Sequence, residues 1–138
     1  MGQSAIADTG PLVAYFDRRE AHHEWAVAQM NSLTPPLLVN EPVLAEAMFL
    51  LRRYREAADA LMDLTERGVL QVAFHLDDHI AEVRSLLQEY ADLPASLADA
   101  SIVRMSELNE RHRVLTLDSD FAIYRRFGRE PLPLLMPN

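Results

Sequence analysis

Short apolar runs alternate along the chain with longer segments in which apolar residues recur at helical spacing. The short runs predict buried strands at residues 4–7, 37–39, 69–74 and 114–117, followed by an extended piece at 132–135. The longer segments predict helices at about residues 11–17, 20–33, 41–53, 56–67, 77–91 and 96–110, with a short helix from Ser119. This alternation predicts an α/β fold, a three-layer sandwich whose central, mainly parallel sheet is flanked by helices.

The chain is predicted to form one domain over residues 1–138. Its length suits a single domain, and no repeat, low-complexity tract or linker divides it. With 49% hydrophobic and 25% charged residues, the composition is that of a globular protein rather than a disordered one. The first residues lack the features of a signal peptide, and no segment approaches the roughly 20 apolar residues of a membrane span. We therefore expect a soluble, cytoplasmic protein.

Composition and charge exclude several classes of chemistry. The absence of cysteine excludes disulfides and thiolate metal sites. All 13 basic residues are arginine, so any mechanism that needs a lysine is excluded, including phosphate binding by a P-loop. A net charge of −8 argues against a general nucleic-acid-binding module, which usually carries a basic face. It does not argue against a nuclease whose acidic residues hold cations.

Two aspartates come directly after predicted strands. Asp8 follows the first strand and Asp118 the fourth, with Asp120 two residues further on. Because parallel α/β sheets bind ligands outside the carboxyl ends of their strands, these residues should open on the same edge. Each also has a purely structural interpretation, since Asp8 and Asp118 suit helix caps and Asp120 lies in the first turn of a helix. Taken singly, both interpretations stay open.

Two further carboxylates lie on predicted helices. Glu46 is the only charged residue between Pro42 and Leu51, in a nearly apolar helix that we expect to be buried. Such a carboxylate must reach solvent, find a partner or bind a cation, because burying it unpaired is costly. A buried ion pair with an arginine is the main structural alternative. Asp99 stands three residues after Ser96, as in a capping box.

These five carboxylates are candidates for one site: Asp8, Glu46, Asp99, Asp118 and Asp120. Gathered together, they would repel one another and raise each other's pKa, and a bound divalent cation would remove that cost. Oxygen ligands alone favour Mg²⁺ or Mn²⁺ over zinc. The sequence contains no competing metal motif such as HExxH or an EF-hand loop.

Other classes of protein with clustered aspartates fit poorly. Asp8-Thr9-Gly10 spells the triplet of aspartic proteases, whose fold is nearly all β, whereas this chain is rich in helix. A response regulator needs a lysine, and haloacid-dehalogenase phosphatases need an aspartate where Gly10 stands. The adjacent His22 and His23 face different sides of a helix, so we expect a surface or packing role for them rather than a shared ligand.

Arginines cluster in two places and have two interpretations. The clusters are Arg52, Arg53 and Arg55, and Arg125, Arg126 and Arg129. Local positive charge could guide an RNA backbone despite the acidic total. The alternative is a solvated helix end, where cations suit the helix dipole. The sequence does not decide between them.

Four segments resemble, in order and spacing, the motifs of PIN-domain nucleases, and among these the VapC-like toxins of type II toxin–antitoxin systems. They are IADTGPLVAYFDRREAHHEWA from Ile6, VNEPVLAEAMFLLRR from Val39, SLADASIVRMSE from Ser96 and VLTLDSDFAIYRR from Val114. The resemblance runs from Ile6 to about Leu135. It departs from many relatives before the paired histidines, where Glu20 and Ala21 stand in place of an aspartate.

The resemblance implies a sheet sandwiched by helices and a metal-dependent endoribonuclease that leaves a 5′-phosphate and a 3′-hydroxyl. Asp8, Glu46, Asp99 and Asp118 fall on the acidic quartet of the family, and Asp120 on a frequent extra acid. The aspartates would bind Mg²⁺ or Mn²⁺ directly or through water, and Glu46 would bind the metal or orient the attacking water. Asp118 and Asp120 both remain candidates for the closer ligand in the last motif.

The same resemblance implies partners and two hydroxyl groups near the site, those of Thr9 and Thr116. VapC-like proteins usually dimerise and bind an antitoxin whose tail blocks the site, so we expect an RNA substrate, a cognate antitoxin protein and a homodimer. Two alternatives stay open. One is a PIN-like domain that no longer cleaves and serves as a binding or assembly module, and the other is a PIN nuclease of RNA processing outside toxin–antitoxin systems.

Overall fold

A parallel sheet forms the centre of the computed structural model, which describes residues 2–138. Seven strands lie within that range: β1 (Ala5–Ala7), β2 (Leu37–Val39), β3 (Leu70–Val72), β4 (Arg113–Leu115), β5 (Arg125–Arg126), β6 (Glu130–Pro131) and β7 (Leu134–Leu135). Five of them make the central sheet in the order β3-β2-β1-β4-β7, with every neighbouring pair parallel. Strand β1 lies in the middle, where Ile6 stands opposite Leu38 of β2 and Val114 of β4.

Helices connect the strands of the sheet. Residues 2–138 contain α1 (Thr9–Phe16), α2 (His23–Ser32), α3 (Glu41–Leu50), α4 (Arg55–Glu66), α5 (Ile80–Glu89) and α6 (Leu97–Leu108). The chain passes outward from β1 to β3 through α1 to α4, and returns to β4 through α5 and α6. Because crossovers between parallel strands are right-handed, the two groups of helices cover opposite faces of the sheet. The predicted α/β sandwich with a parallel central sheet is confirmed.

The core is built on the apolar strands. The three residues of β1 are fully buried, as expected for a parallel strand covered by helices on both faces. Helix α6 packs against β1 and β4 and contributes Ile102 and Met105 to the core, both without solvent exposure. Within residues 2–138, no helix combines the length and the apolar character that crossing a bilayer requires.

The expectation that the helix after β2 would be buried is wrong. Helix α3 buries Val43, Leu44 and Ala47, but Phe49 is 61% and Leu50 49% exposed. The helices α1, α4 and α6 pack against α3 but leave Phe49 and Leu50 uncovered, so its apolar sequence does not make it a core helix. The helix also ends at Leu50, three residues before the predicted end at Arg53.

Two segments differ locally from the predicted elements. The segment before α5 is a 3₁₀ turn over Leu76–His79, and the short helix predicted from Ser119 is a 3₁₀ turn over Ser119–Ala122. The antiparallel hairpin β5–β6 was not predicted. Its turn contains Phe127 and Gly128, both with positive φ. The turn was missed because the left-handed conformation favours glycine and asparagine, so a phenylalanine in the sequence does not indicate it.

Candidate active site

A cavity of about 420 Å³ opens at the edge of the sheet where β1 and β4 end. Its walls come from four segments that are distant in sequence. They are the end of β1 with the start of α1, helix α3, the start of α6 and the residues after β4, which contribute Asp8, Thr9, Gly10, Glu46, Leu50, Ser96, Asp99, Leu117 and Asp118. The four residues predicted as the acidic quartet thus line one cavity. The fifth candidate, Asp120, does not line it.

Asp8 is held by two hydrogen bonds beneath this cavity. It caps helix α1 by accepting from the Thr9 N–H at 2.8 Å on Oδ1, and its Oδ2 accepts from the Thr116 hydroxyl, also at 2.8 Å. The Thr116 Oγ1 in turn accepts from the Asp118 N–H at 2.9 Å. Thr116 therefore links the aspartates that follow the paired strands β1 and β4. Asp8 therefore caps α1 and lines the cavity at the same time, because it lies between the end of β1 and the start of α1.

Asp99 occupies the third position of helix α6 and completes the predicted capping box. The Ser96 Oγ accepts from the Asp99 N–H at 3.0 Å, and Asp99 Oδ2 accepts from the Ser96 N–H at 3.1 Å. A second donor, the hydroxyl of Tyr124, also reaches Asp99 Oδ2, at 3.3 Å. No donor within residues 2–138 bonds to Oδ1. Capping therefore uses one oxygen of Asp99 and leaves the other free.

Asp118 and Asp120 have different places at the last motif. Asp118 caps the 3₁₀ turn by accepting on Oδ1 from the Asp120 N–H at 2.9 Å, and it lines the cavity. In the described part of the chain no donor bonds to Asp118 Oδ2. Asp120, in the first turn of the same 3₁₀ segment, contributes its N–H to Asp118 and does not line the cavity. The geometry thus separates the two acids that the sequence left equivalent.

Glu46 comes to the cavity from helix α3. Its side chain is exposed, and it forms no ion pair with any of residues 2–138. The alternative of a buried ion pair with an arginine is therefore wrong. Because Glu46 reaches solvent, its charge carries no burial cost, and it faces the same cavity as the three aspartates.

The electrostatics of the site are those of crowded acids. Burial raises the pKa of Asp8 from 3.8 to about 6; the bonds from Thr116 and Thr9 oppose this rise, and the negative charges of Asp99 and Asp118 add to it. Burial also raises the pKa of Asp99, with a further contribution from the charge of Asp118. The cavity thus concentrates negative charge that only a cation or protons can neutralise.

The donor chemistry of the cavity fits a hard divalent cation. All four acidic side chains offer oxygen, Asp99 and Asp118 each keep one oxygen that accepts no hydrogen bond from the described residues, and the buried Thr9 hydroxyl has no hydrogen-bond partner among them. No three acidic or histidine side chains of residues 2–138 are already gathered closely enough to hold a metal ion together. The side chains therefore suit a divalent metal by their chemistry.

The other residues considered as candidates have structural roles. His23 donates from Nδ1 to the Ala14 carbonyl at 2.7 Å, and His22 is exposed, so the pair does not share a ligand. Arg126 is buried and donates to the carbonyls of Ser106 and Glu110, which removes it from the second arginine cluster.

Arg125 is also tied to the backbone, because its NH1 donates to the carbonyls of Ala122, Ile123 and Tyr124. The arginines after α3 are more exposed. Arg52 donates from NH1 to the Phe49 carbonyl at 2.8 Å, but both it and Arg53 are exposed to solvent, close in sequence to the cavity residue Leu50. A solvated basic surface is therefore present after α3, whereas the second cluster largely supports the hairpin.

Sequence reasoning missed Tyr124. Its ring is buried and its hydroxyl contacts Asp99, although the two residues lie in different motifs. The only sequence feature that pointed to it was an aromatic residue shortly after Asp118. An aromatic residue at that position is equally well explained by core packing.

Comparisons with known proteins place the chain among characterised relatives. The model of the PIN domain family matches residues 5–126. Ribonuclease VapC26 of Mycobacterium tuberculosis is 28% identical over 127 residues, which span 89% of this chain and 93% of that protein. The crystal structure of VapC20 of Mycobacterium tuberculosis, a sarcin–ricin loop cleaving toxin, superposes with a TM-score of 0.78. That superposition covers 92% of this chain and 99% of the other at 21% identity, and so concerns the fold.

Proposed function

The chain belongs to the PIN domain family, and from this membership we propose that it is a metal-dependent endoribonuclease that hydrolyses RNA phosphodiester bonds. The observation that carries the proposal is the cavity at the sheet edge, where Asp8, Glu46, Asp99 and Asp118 meet. VapC26 is a ribonuclease and VapC20 cleaves the sarcin–ricin loop. We extend ribonuclease activity to this chain.

The aspartates are proposed to hold one or two Mg²⁺ or Mn²⁺ ions. Asp99 and Asp118 would bind through the oxygens that make no hydrogen bond, Oδ1 and Oδ2 respectively, and Asp8 through lone pairs not used by Thr9 and Thr116. Asp120 would support Asp118 through its N–H and add negative charge to the site. A bound divalent ion supplies Lewis acidity that lowers the pKa of water and stabilises charge on the phosphate.

Glu46 is proposed to orient the attacking water and accept its proton. It is the one acid of the quartet that comes from an exposed helix face, and no hydrogen bond or ion pair with residues 2–138 engages its carboxylate. A free carboxylate at the rim can approach a water in line with the scissile bond, as a general base must. Attack on phosphorus with departure of the 3′-oxygen would leave a 5′-phosphate and a 3′-hydroxyl.

We further propose that the protein is the toxin of a toxin–antitoxin pair and acts in the cytoplasm as a homodimer. VapC20 is itself a toxin. A cavity with four carboxylates complements a basic antitoxin tail, whose arginines or lysines would neutralise it. Exposed apolar side chains, among them Phe49, Leu50 and Leu97, offer surface for protein contacts. Light scattering on the purified chain tests the dimer. A small reading frame adjacent to the gene, if its product co-purifies with this chain, would identify the antitoxin, and its absence would argue against the pair.

The enzymatic proposal is tested by RNA cleavage. The purified chain is incubated with mixed RNA and Mn²⁺ or Mg²⁺, in parallel with EDTA and with an Asp99→Asn variant. Asp92→Asn is the matched control, because Asp92 is an exposed aspartate shortly before α6 that does not line the cavity. The proposal expects cleavage that needs metal, survives in D92N and is lost in D99N. No cleavage by the wild type, together with no Mn²⁺ binding, would instead favour the non-cleaving binding module.

A further inference from the structure

The hydroxyl of Tyr124 is the only side-chain donor within residues 2–138 that bonds to Asp99. It lies 3.3 Å from Asp99 Oδ2, the same oxygen that accepts from the Ser96 N–H. Tyr124 is 1% exposed, so this phenol does not exchange its partner for bulk water. Its hydroxyl must bond to a protein acceptor, and Asp99 provides one.

The ring of Tyr124 is fixed independently of Asp99. Tyr90 and Phe121 contact it edge to face, at centroid distances of 5.0 and 5.1 Å. The backbone of Tyr124 is also held, because its N–H donates to the Asp120 carbonyl at 3.2 Å. The phenol therefore cannot follow Asp99 if that carboxylate rotates, and it favours a single rotamer of Asp99.

We infer that Tyr124 is a positioning residue for the metal site, which holds Asp99 by Oδ2 so that Oδ1 faces the cavity as a single-oxygen ligand. This inference rests on the proposed metal-dependent function. Both protein donors to Asp99 fall on Oδ2, and none of the described residues donates to Oδ1. Removal of a group that orients a metal ligand through a hydrogen bond typically lowers metal affinity about 10- to 100-fold.

The length of the hydrogen bond sets the size of the expected effect. The Tyr124 hydroxyl lies 3.3 Å from Asp99 Oδ2. Because the Asp99 contact is long for a hydroxyl donor, we expect the lower end of the general range, about tenfold in affinity.

Tyr124→Phe removes this hydroxyl alone, and Tyr90→Phe is its matched control. Tyr90 belongs to the same aromatic cluster and its hydroxyl holds the adjacent Arg125 N–H, but it does not contact a carboxylate of the cavity. Calorimetric titration with Mn²⁺ should give a dissociation constant about tenfold higher in Y124F and within about twofold of wild type in Y90F. Cleavage by Y124F should recover as Mn²⁺ is raised, whereas a purely structural defect would not respond to metal.

Wild-type affinity in Y124F, or equal losses in Y124F and Y90F, would overturn the positioning role while leaving the nuclease proposal intact. A wild type that binds no Mn²⁺ would overturn both. If Y124F does not fold, the wild-type protein is labelled with 3-fluorotyrosine and its fluorine NMR spectrum is recorded. The resonance of Tyr124, which is assigned by substituting the other three tyrosines in turn, should shift when Mg²⁺ is added. An unchanged resonance at saturating Mg²⁺ would overturn the inference.

Discussion

Replacing Asp8 with asparagine should stabilise the metal-free protein at neutral pH, and the gain should vanish in acid. Asp8 is 7% exposed and its pKa is raised from 3.8 to about 6, chiefly by burial. The folded state therefore binds the Asp8 proton more tightly than the unfolded state. The protein loses stability as pH rises between those two values, because folding then requires a buried carboxylate to stay charged. Asparagine is neutral at every pH and avoids this loss.

The size of the effect follows from the shift in pKa. A difference of about two units corresponds to about 3 kcal/mol at 1.36 kcal/mol per unit. Asparagine can still accept from the Thr9 N–H, but it presents an amide in place of the carboxylate oxygen that Thr116 donates to. The loss of that bond should cost about 1 kcal/mol at every pH. The net gain near neutral pH is therefore about 2 kcal/mol in the free energy of unfolding.

Urea unfolding of wild type and D8N in EDTA measures this directly. The difference in unfolding free energy between the two proteins should grow by about 2 kcal/mol from about pH 4.5 to about pH 7.5, since part of the wild-type loss has already occurred at the lower value. Comparing two pH values cancels the pH-independent cost of the lost Thr116 bond. A difference that stays constant across this range would refute the conclusion that Asp8 is a desolvated carboxylate held charged for the site.

Three further predictions concern other residues of the cavity. Glu46→Gln should lower RNA cleavage at least about 100-fold, as expected for loss of a general base, while Glu41→Gln on the same helix should leave it unchanged; initial rates at saturating Mn²⁺ decide this. Asp118→Asn should weaken Mn²⁺ binding more than Asp120→Asn, because only Asp118 lines the cavity, and equal effects in calorimetry would argue against that assignment. Ser96→Ala removes the acceptor for the Asp99 N–H and should destabilise the protein by about 1 kcal/mol in thermal unfolding, an effect too large for a surface serine without a capping role.

The sheet edge that carries the cavity was predictable because it depends on local patterns. Asp8 and Asp118 each follow an apolar run, and parallel strands bring their carboxyl ends to one edge. The pairing of β1 with β4 agrees with this expectation. The capping box at Ser96 and Asp99 was equally local, since it needs only residues three apart, and it is confirmed.

The convergence of Glu46 and Asp99 on that edge was not derivable from their spacing. It depends on the packing of α3 against α6, two helices that are far apart in sequence. The sequence therefore suggested that the five carboxylates form one site, but it could not give the distances between them. The exposure of Phe49 and Leu50 was missed for a related reason. An apolar residue gives the same sequence signal in a core and on a surface, and only the surrounding helices decide which it is.

The contacts of the residues after Asp118 depend on tertiary packing even more than the position of Glu46 does. The Tyr124 hydroxyl reaches Asp99 because the 3₁₀ turn and two aromatic rings fix its direction. Arg126 belongs to a run of arginines typical of a solvated surface, yet it is buried among carbonyl groups of α6 and the residues after it. In both cases the deciding partners lie in other elements, beyond the reach of a local pattern.

The most direct test of the central claim, that the carboxylate cavity hydrolyses RNA with a divalent ion, is analysis of the ends of the cleavage products. A defined RNA cleaved by the wild-type chain in Mn²⁺ should yield fragments with 5′-phosphate and 3′-hydroxyl ends, and none in EDTA or with the Asp99→Asn variant. Fragments that end in 2′,3′-cyclic phosphate, or cleavage that persists in EDTA, would contradict the account. Such products arise by attack of the RNA's own 2′-hydroxyl and need no metal-bound water.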